Sequence, residues 1–160
     1  SEVLPGFSDP TLPMTCVRHE DAVRYAVWVG KNLPTEAEWC RAAFGGAKTD
    51  FPWGKTAVLA GAEHHDQLAI LGRRWPEAGG RPARLGGRVV GAGPFGAEDL
   101  VGNVQEFLEE RTRRGNVQAI GMAYNDPWPS HIARFASGFP SEPKEQANLW
   151  TGFRCVLLVE

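Results

Sequence analysis

The stretch DLVGNVQEF, Asp99 to Phe107, decides how the chain is read. It sets an acid, two residues that bend easily (Gly102 and Asn103) and a second acid (Glu106) beside what reads as a short strand over 103–108. Val104 and Glu106 alternate with Gln105 and Phe107, which is the period of a strand. Carboxylates this close to a buried segment need partners, because burying one without a partner is costly.

Upstream, LPTEAEWCRAAFGG (33–46) predicts a helix with clear punctuation. Thr35 can cap its start, and Glu38 three residues on completes a capping box. Glu36 and Glu38 suit the positive end of the helix dipole. Gly45 and Gly46 end it. HEDAVRYAVWVGKN (19–32) predicts another helix: Ala22, Val23, Ala26 and Val27 recur near helical spacing, and Gly30 and Asn32 are stop signals. Residues 1–14 read as an extended, Pro-rich lead-in, and FPWG (51–54) as a turn. Residues 55–98 show little periodicity and imply a long irregular segment. Downstream, short strands are expected at 117–122 and 152–159, the latter apolar and β-branched enough for a central strand. Helices first, then loops and strands, predict an α+β fold.

The chain has 160 residues, which suits a single domain over 1–160 with a real core. A net charge of −2 gives no overall field to attract nucleic acid or an anionic membrane, so neither is expected as a partner. No apolar run is long enough to span a bilayer, and SEVLPGFSDP lacks the design of a secretory signal. The three cysteines, Cys16, Cys40 and Cys155, are widely spaced and form no zinc-type pair. They allow one disulfide and a free thiol, or three buried thiols in a reducing cytosol, and a cytoplasmic location is expected. EERTRRG (109–115) reads as a solvated loop. EHHD (63–66) reads as surface, since neighbours on a strand point to opposite faces.

Four pieces occur in one order: LPTEAEWCRAAFGG, FPWG, FGAEDLVGNVQEF and GFRCV. Together they resemble the formylglycine-generating enzyme family, the sulfatase-modifying factor domain, over about residues 15 to 157. The resemblance implies a C-type lectin-like fold: two helices packed on small, twisted antiparallel sheets, with much irregular loop. It also implies calcium at the opening stretch, through side-chain oxygens of Asp99 and Glu106 and backbone carbonyls of Gly102 and Val104. Calcium favours such a mix of carboxylate and carbonyl oxygens. On the residues alone, Asp99 could instead cap a turn and Glu106 pair with an arginine. Gln105 stands where the family usually has Trp. A second family calcium site would fall within 60–80. Family members usually carry a further N-terminal half, so the chain reads as a compact version or as part of a larger multidomain protein.

The family's oxidase uses two cysteines a few residues apart to hold Cu(I), a soft ion suited to thiolates. Here the window from Ala119 holds no cysteine before Cys155, and Ala136 and Ser137 stand near the expected thiol. Copper is therefore not expected, and formylglycine synthesis with it. Some members join the motifs that hold Cys40 and Cys155 by a disulfide, but their first cysteine falls at the place of Ala43. Another branch, the sulfoxide synthases, takes a three-histidine iron site largely from a separate helical domain. A third uses the fold as a variable binding scaffold in diversity-generating retroelements. Residues 124–151 carry Tyr124, Asn125, Trp128, His131, Arg134, Phe135, Phe139 and Trp150, a composition that suits a recognition surface. The expected function is a non-catalytic module that binds a protein or peptide through this segment. The alternatives are a metal-dependent oxidase with an altered site that uses His131, a variable binding protein of the retroelement type, and a subunit that completes its fold on another chain.

Overall fold

The computed structural model describes residues 9–55, 81–126 and 147–157. Helix α1 (His19–Trp28) opens with Glu20 and Asp21 in its first turn and buries His19, Ala22 and Ala26. It stops short of the expected 19–32. Gly30 takes φ 70°, its N–H bonds the Val27 carbonyl, and the N–H of Lys31 returns to the Ala26 carbonyl at 2.8 Å. That pair of bonds is a glycine-closed C-terminus, and it ends the helix even though apolar residues continue. Helix α2 (Glu36–Phe44) carries the full capping box: Glu38 N–H donates to Thr35 Oγ1, and Thr35 N–H donates to Glu38 Oε2 at 2.8 Å. Gly45, left-handed at φ 63°, closes it. A 3-10 turn spans Val89–Gly91.

Among the described residues, three strands form one sheet in the order β2-β1-β3: β1 (Gln105–Arg111), β2 (Val117–Ile120) and β3 (Thr151–Gly152). The β1–β2 pair is antiparallel, with an irregularity between Phe107 and Arg111. The β1–β3 pair is parallel, so this sheet is mixed rather than purely antiparallel. Nor do the described residues of the last expected strand form a long central strand: among them β3 lies at an edge and pairs at Thr151 and Gly152. The reason is competition for one side of β1. Gln105 N–H bonds the Trp150 carbonyl, but two pleats on, Glu109 N–H bonds the Pro34 carbonyl at 2.9 Å. The loop before α2 takes the edge that a longer β3 would need. Val156 pairs instead with Asn32.

Strand β1 joins two cores because its side chains alternate in direction. Leu108 packs with Trp39, Ala43, Leu100 and Ile120 below α2. Phe107 packs with Ala22, Ala26, Val117 and Ala119 below α1. The stretch expected as a solvated loop at 109–115 is partly strand. Glu110 also reaches back to accept the Glu36 N–H at the start of α2, at 3.0 Å. All three thiols are free, and Cys16 is exposed rather than buried.

Candidate functional site

Three left-handed residues shape the turn before β1: Asp99 (φ 57°), Gly102 (φ 81°) and Asn103 (φ 62°). The expected bend at Gly102 and Asn103 is present. Asn103 is a clamp as well as a bend. Its side chain accepts from the Ala83 N–H at 2.9 Å and donates to the Ala83 carbonyl at 3.2 Å. Its own carbonyl accepts the Tyr124 N–H at 2.8 Å.

The two acids bracket this bend, and each meets a guanidinium. Asp99 accepts from Arg88 Nη1 at 3.0 Å and from the Gly86 N–H at 3.1 Å. Glu98, beside it, accepts the Arg88 N–H at 2.9 Å. Glu106 is buried and accepts three donors: Trp39 Nε1 at 2.7 Å, Arg154 Nε at 2.7 Å and Arg154 Nη2 at 2.6 Å. Arg154 Nη2 also donates to the Glu98 carbonyl at 3.0 Å. Burial pulls the Arg154 pKa down, but the charge and hydrogen bonds of Glu106 outweigh it, and the guanidinium is held above its ordinary value. Beside these groups lies a cavity of about 340 Å³ lined by Leu85, Glu98, Asp99, Asn103, Glu106 and Arg154, among others.

Calcium can be tested against this donor set. Asp99, Gly102, Val104 and Glu106 do lie in one turn. But both carboxylates are already matched, Asp99 by Arg88 and Glu106 by a two-point contact with Arg154. A divalent ion entering here would confront two fixed positive charges. Both acids are thus paired with arginines, and Asp99, Val104 and Glu106 line the cavity beside them. Among the described residues no cluster of three or more His, Cys, Asp or Glu is placed to hold a metal ion.

Of the residues expected at the recognition surface, three are described. Trp150 is 41% exposed, and its indole stands just ahead of β3. Asn125 is half-buried. Tyr124 corrects the expectation: only 1% exposed, it belongs to the interior. Its N–H bond to Asn103 draws the chain inward there, and burial pushes its phenol pKa up. Trp128, His131, Arg134, Phe135 and Phe139 lie outside the described residues, as do EHHD and the 60–80 window. Sequence reasoning missed Arg88, Asn103 and Trp39 as parts of this hub. Arg154 had one signal, its place in the GFRC motif.

The fold and the order of its motifs now have a match. The chain belongs to the sulfatase-modifying factor enzyme 1-like domain family. The family model matches residues 6–159. The chain is 34% identical over 132 residues to hercynine oxygenase of Mycolicibacterium smegmatis, covering 80% of this chain and 24% of that protein. It is 30% identical over 156 residues to inactive C-alpha-formylglycine-generating enzyme 2 of Bos taurus, covering 89% of this chain and 49% of that one. The chain thus spans between about a quarter and a half of these relatives' length. The solved structure of PvdO from Pseudomonas aeruginosa superimposes with a TM-score of 0.66 at 21% identity, covering 90% of this chain and 61% of that one. The sulfatase-modifying factor domain here has the formylglycine-generating-enzyme variety of the C-type lectin-like fold, an α+β arrangement of two helices on a small sheet.

Proposed function

We propose that this domain is a non-catalytic recognition module that binds a protein or peptide through the 124–151 segment. The observation that carries the reading is the missing thiol pair. Ala136 and Ser137 stand where the resemblance places a copper-binding cysteine, and no other cysteine precedes Cys155 in that window. Without soft ligands, Cu(I) has no seat there. The similarity to a relative named as inactive supports the same reading. The exposed Trp150 supplies an aromatic anchor of the kind that dominates interfaces. The same proposal takes the module to be a cytoplasmic part of a larger protein.

A second reading is favoured by the 34% identity to an oxygenase: the domain is part of an oxidase with an altered metal site, in which His131 supplies one ligand. One experiment separates the two. The purified chain is assayed for copper and iron and for thiol-dependent oxygen uptake. In parallel, wild type and the Trp128→Ala/Arg134→Ala double variant are used to capture partners from host lysate. A partner held by wild type and lost by the variant, with no stoichiometric metal, supports recognition. One equivalent of metal with oxygen uptake, both lost in His131→Ala, sinks it. A partner held equally by both proteins moves the surface away from this segment.

A further inference from the structure

We infer that α1 is a self-association surface: two copies of this chain pair their α1 helices antiparallel, and each inserts Trp28 into a cavity of the other. The starting observation is a knob and a hole on one face. Trp28, the last residue of α1, is 79% exposed. Beside the helix a cavity of about 490 Å³ is lined by Met14, Val17, Asp21, Tyr25, Phe153 and Cys155. Tyr25 links the two, its ring 5.9 Å from that of Trp28 and 5.6 Å from that of Phe153. Tyr25 is itself 48% exposed and Met14 65%. These three side chains offer on the order of 400 Å² of surface per copy, the size of patch that marks an interaction site. A standard interface takes about 800 Å² from each partner, so the pairing is a weak and reversible one.

Helix spacing sets the register. Asp21, Tyr25 and Trp28 stand at i, i+4 and i+7, on one stripe of α1. Asp21, at the cavity, lies two turns, about 10 Å, before Trp28. A two-fold axis midway between them, at Arg24 and Tyr25, brings Trp28 of each copy over Asp21 of the other and so onto the cavity. One contact is then made twice, as an isologous dimer requires. The cavity offers apolar and aromatic walls to the indole, and the Asp21 carboxylate can accept its N–H. The same axis sets Arg24 against the partner's Tyr25, a cation over an aromatic ring. The charges suit two copies as well. Glu20 and Asp21 pair with Arg18 and Arg24 along the helix, so the face carries no net charge and does not repel itself. Antiparallel packing also opposes the two helix dipoles. An unrelated partner has to bring both a knob and a hole, whereas a second copy already carries both.

The test is sedimentation velocity of the full chain from about 1 to 500 μM, where a reversible monomer–dimer equilibrium is expected. Trp28→Ala is expected to weaken it at least about thirty-fold, as removal of a central aromatic anchor does. Its melting midpoint should stay within about 2 °C of wild type, because the side chain is mostly exposed. Asp21→Arg lays a long charged side chain across the cavity and is expected to weaken the dimer by a similar factor. Mixed together, these two variants are expected to associate more tightly than either does alone, since the Trp28 of one still finds the open cavity of the other. A wild type that stays monomeric at about 500 μM overturns the inference and leaves the face to another segment or partner. So does a dimer that survives Trp28→Ala. A mixture that associates no better than its parts overturns the exchange of knob and cavity. None of these residues belongs to 124–151, so the result stands apart from the recognition reading.

Discussion

Glu106→Gln is the sharpest perturbation of the hub. The substitution keeps the shape of the side chain and removes its charge. Glutamine has one carbonyl oxygen to offer, whereas Glu106 uses both oxygens on Arg154 and one of them also on Trp39. Whichever way the amide turns, its NH2 faces a donor that formerly had an acceptor. Removing one partner of a buried ion pair costs about 3–5 kcal/mol, because the other charge is left uncompensated. The Arg154 side chain keeps 27% of its exposure, and water can recover part of that loss. The expected destabilisation is therefore about 2–4 kcal/mol. For a domain of this length that lowers the melting midpoint by roughly 5–15 °C. Circular dichroism during thermal and urea unfolding reads it directly. The double-mutant cycle with Arg154→Met sharpens the result, since the second substitution removes the stranded charge. The double variant should be less destabilised than the sum of the singles by at least about 1 kcal/mol. If Glu106→Gln shifts stability by less than about 0.5 kcal/mol, the pair is not the buried clamp described here.

Gly152→Ala would set a Cβ 2.5 Å from the Met14 carbonyl oxygen and 3.3 Å from Val104 Cγ2. The backbone must move to admit it, and unfolding experiments should show a loss of about 1–3 kcal/mol. The Thr151 hydroxyl is buried with no hydrogen-bond partner, so isosteric Thr151→Val should be neutral or stabilising by up to about 1 kcal/mol. A clear loss of stability in that variant would show that the hydroxyl does have a partner. Burial pushes the Cys40 thiol up, helped by the Glu36 charge, and pushes Cys155 up against a small opposing pull from Lys31. A raised thiol pKa means less thiolate at a given pH, so at mildly alkaline pH exposed Cys16 should react with a disulfide reagent well before the other two. Peptide mapping of the first labelled site checks this.

What the sequence showed of the fold was what neighbouring residues decide. The capping box at Thr35 and Glu38 and the stop at Gly45 lie within one short segment, so α2 was legible almost to the residue. The end of α1 was overrun because Val27 and Val29 prolong the apolar pattern, although Val27 is 65% exposed. The composition of 152–159 suits a central strand, but strand length was set elsewhere, by a Pro34 carbonyl that claims Glu109. The hub was hidden for the same reason. The partners of Glu106 are Trp39, 67 positions away, and Arg154, 48 positions away, and no local spacing reports either. Reading DLVGNVQEF gave the bend and the acids. The identity of the cations depended on which distant segments the fold returns to them.

The same turn bears on the proposed recognition segment. Tyr124 N–H bonds the Asn103 carbonyl, and Gln105 N–H bonds the Trp150 carbonyl, at 2.8 and 2.9 Å. The two ends of the 124–151 stretch are therefore pinned two residues apart on one turn. A further main-chain bond, Cys16 N–H to the Asn148 carbonyl, holds the exit. These anchors are backbone groups, and backbone bonds are nearly indifferent to side-chain identity. The turn is in its own right fixed by Asn103 on Ala83, Asp99 on Arg88 and Glu106 on Arg154, none of which belongs to the stretch. Closure of both ends by main-chain bonds would let side chains within the stretch vary without loosening its anchors, as the proposed recognition role requires.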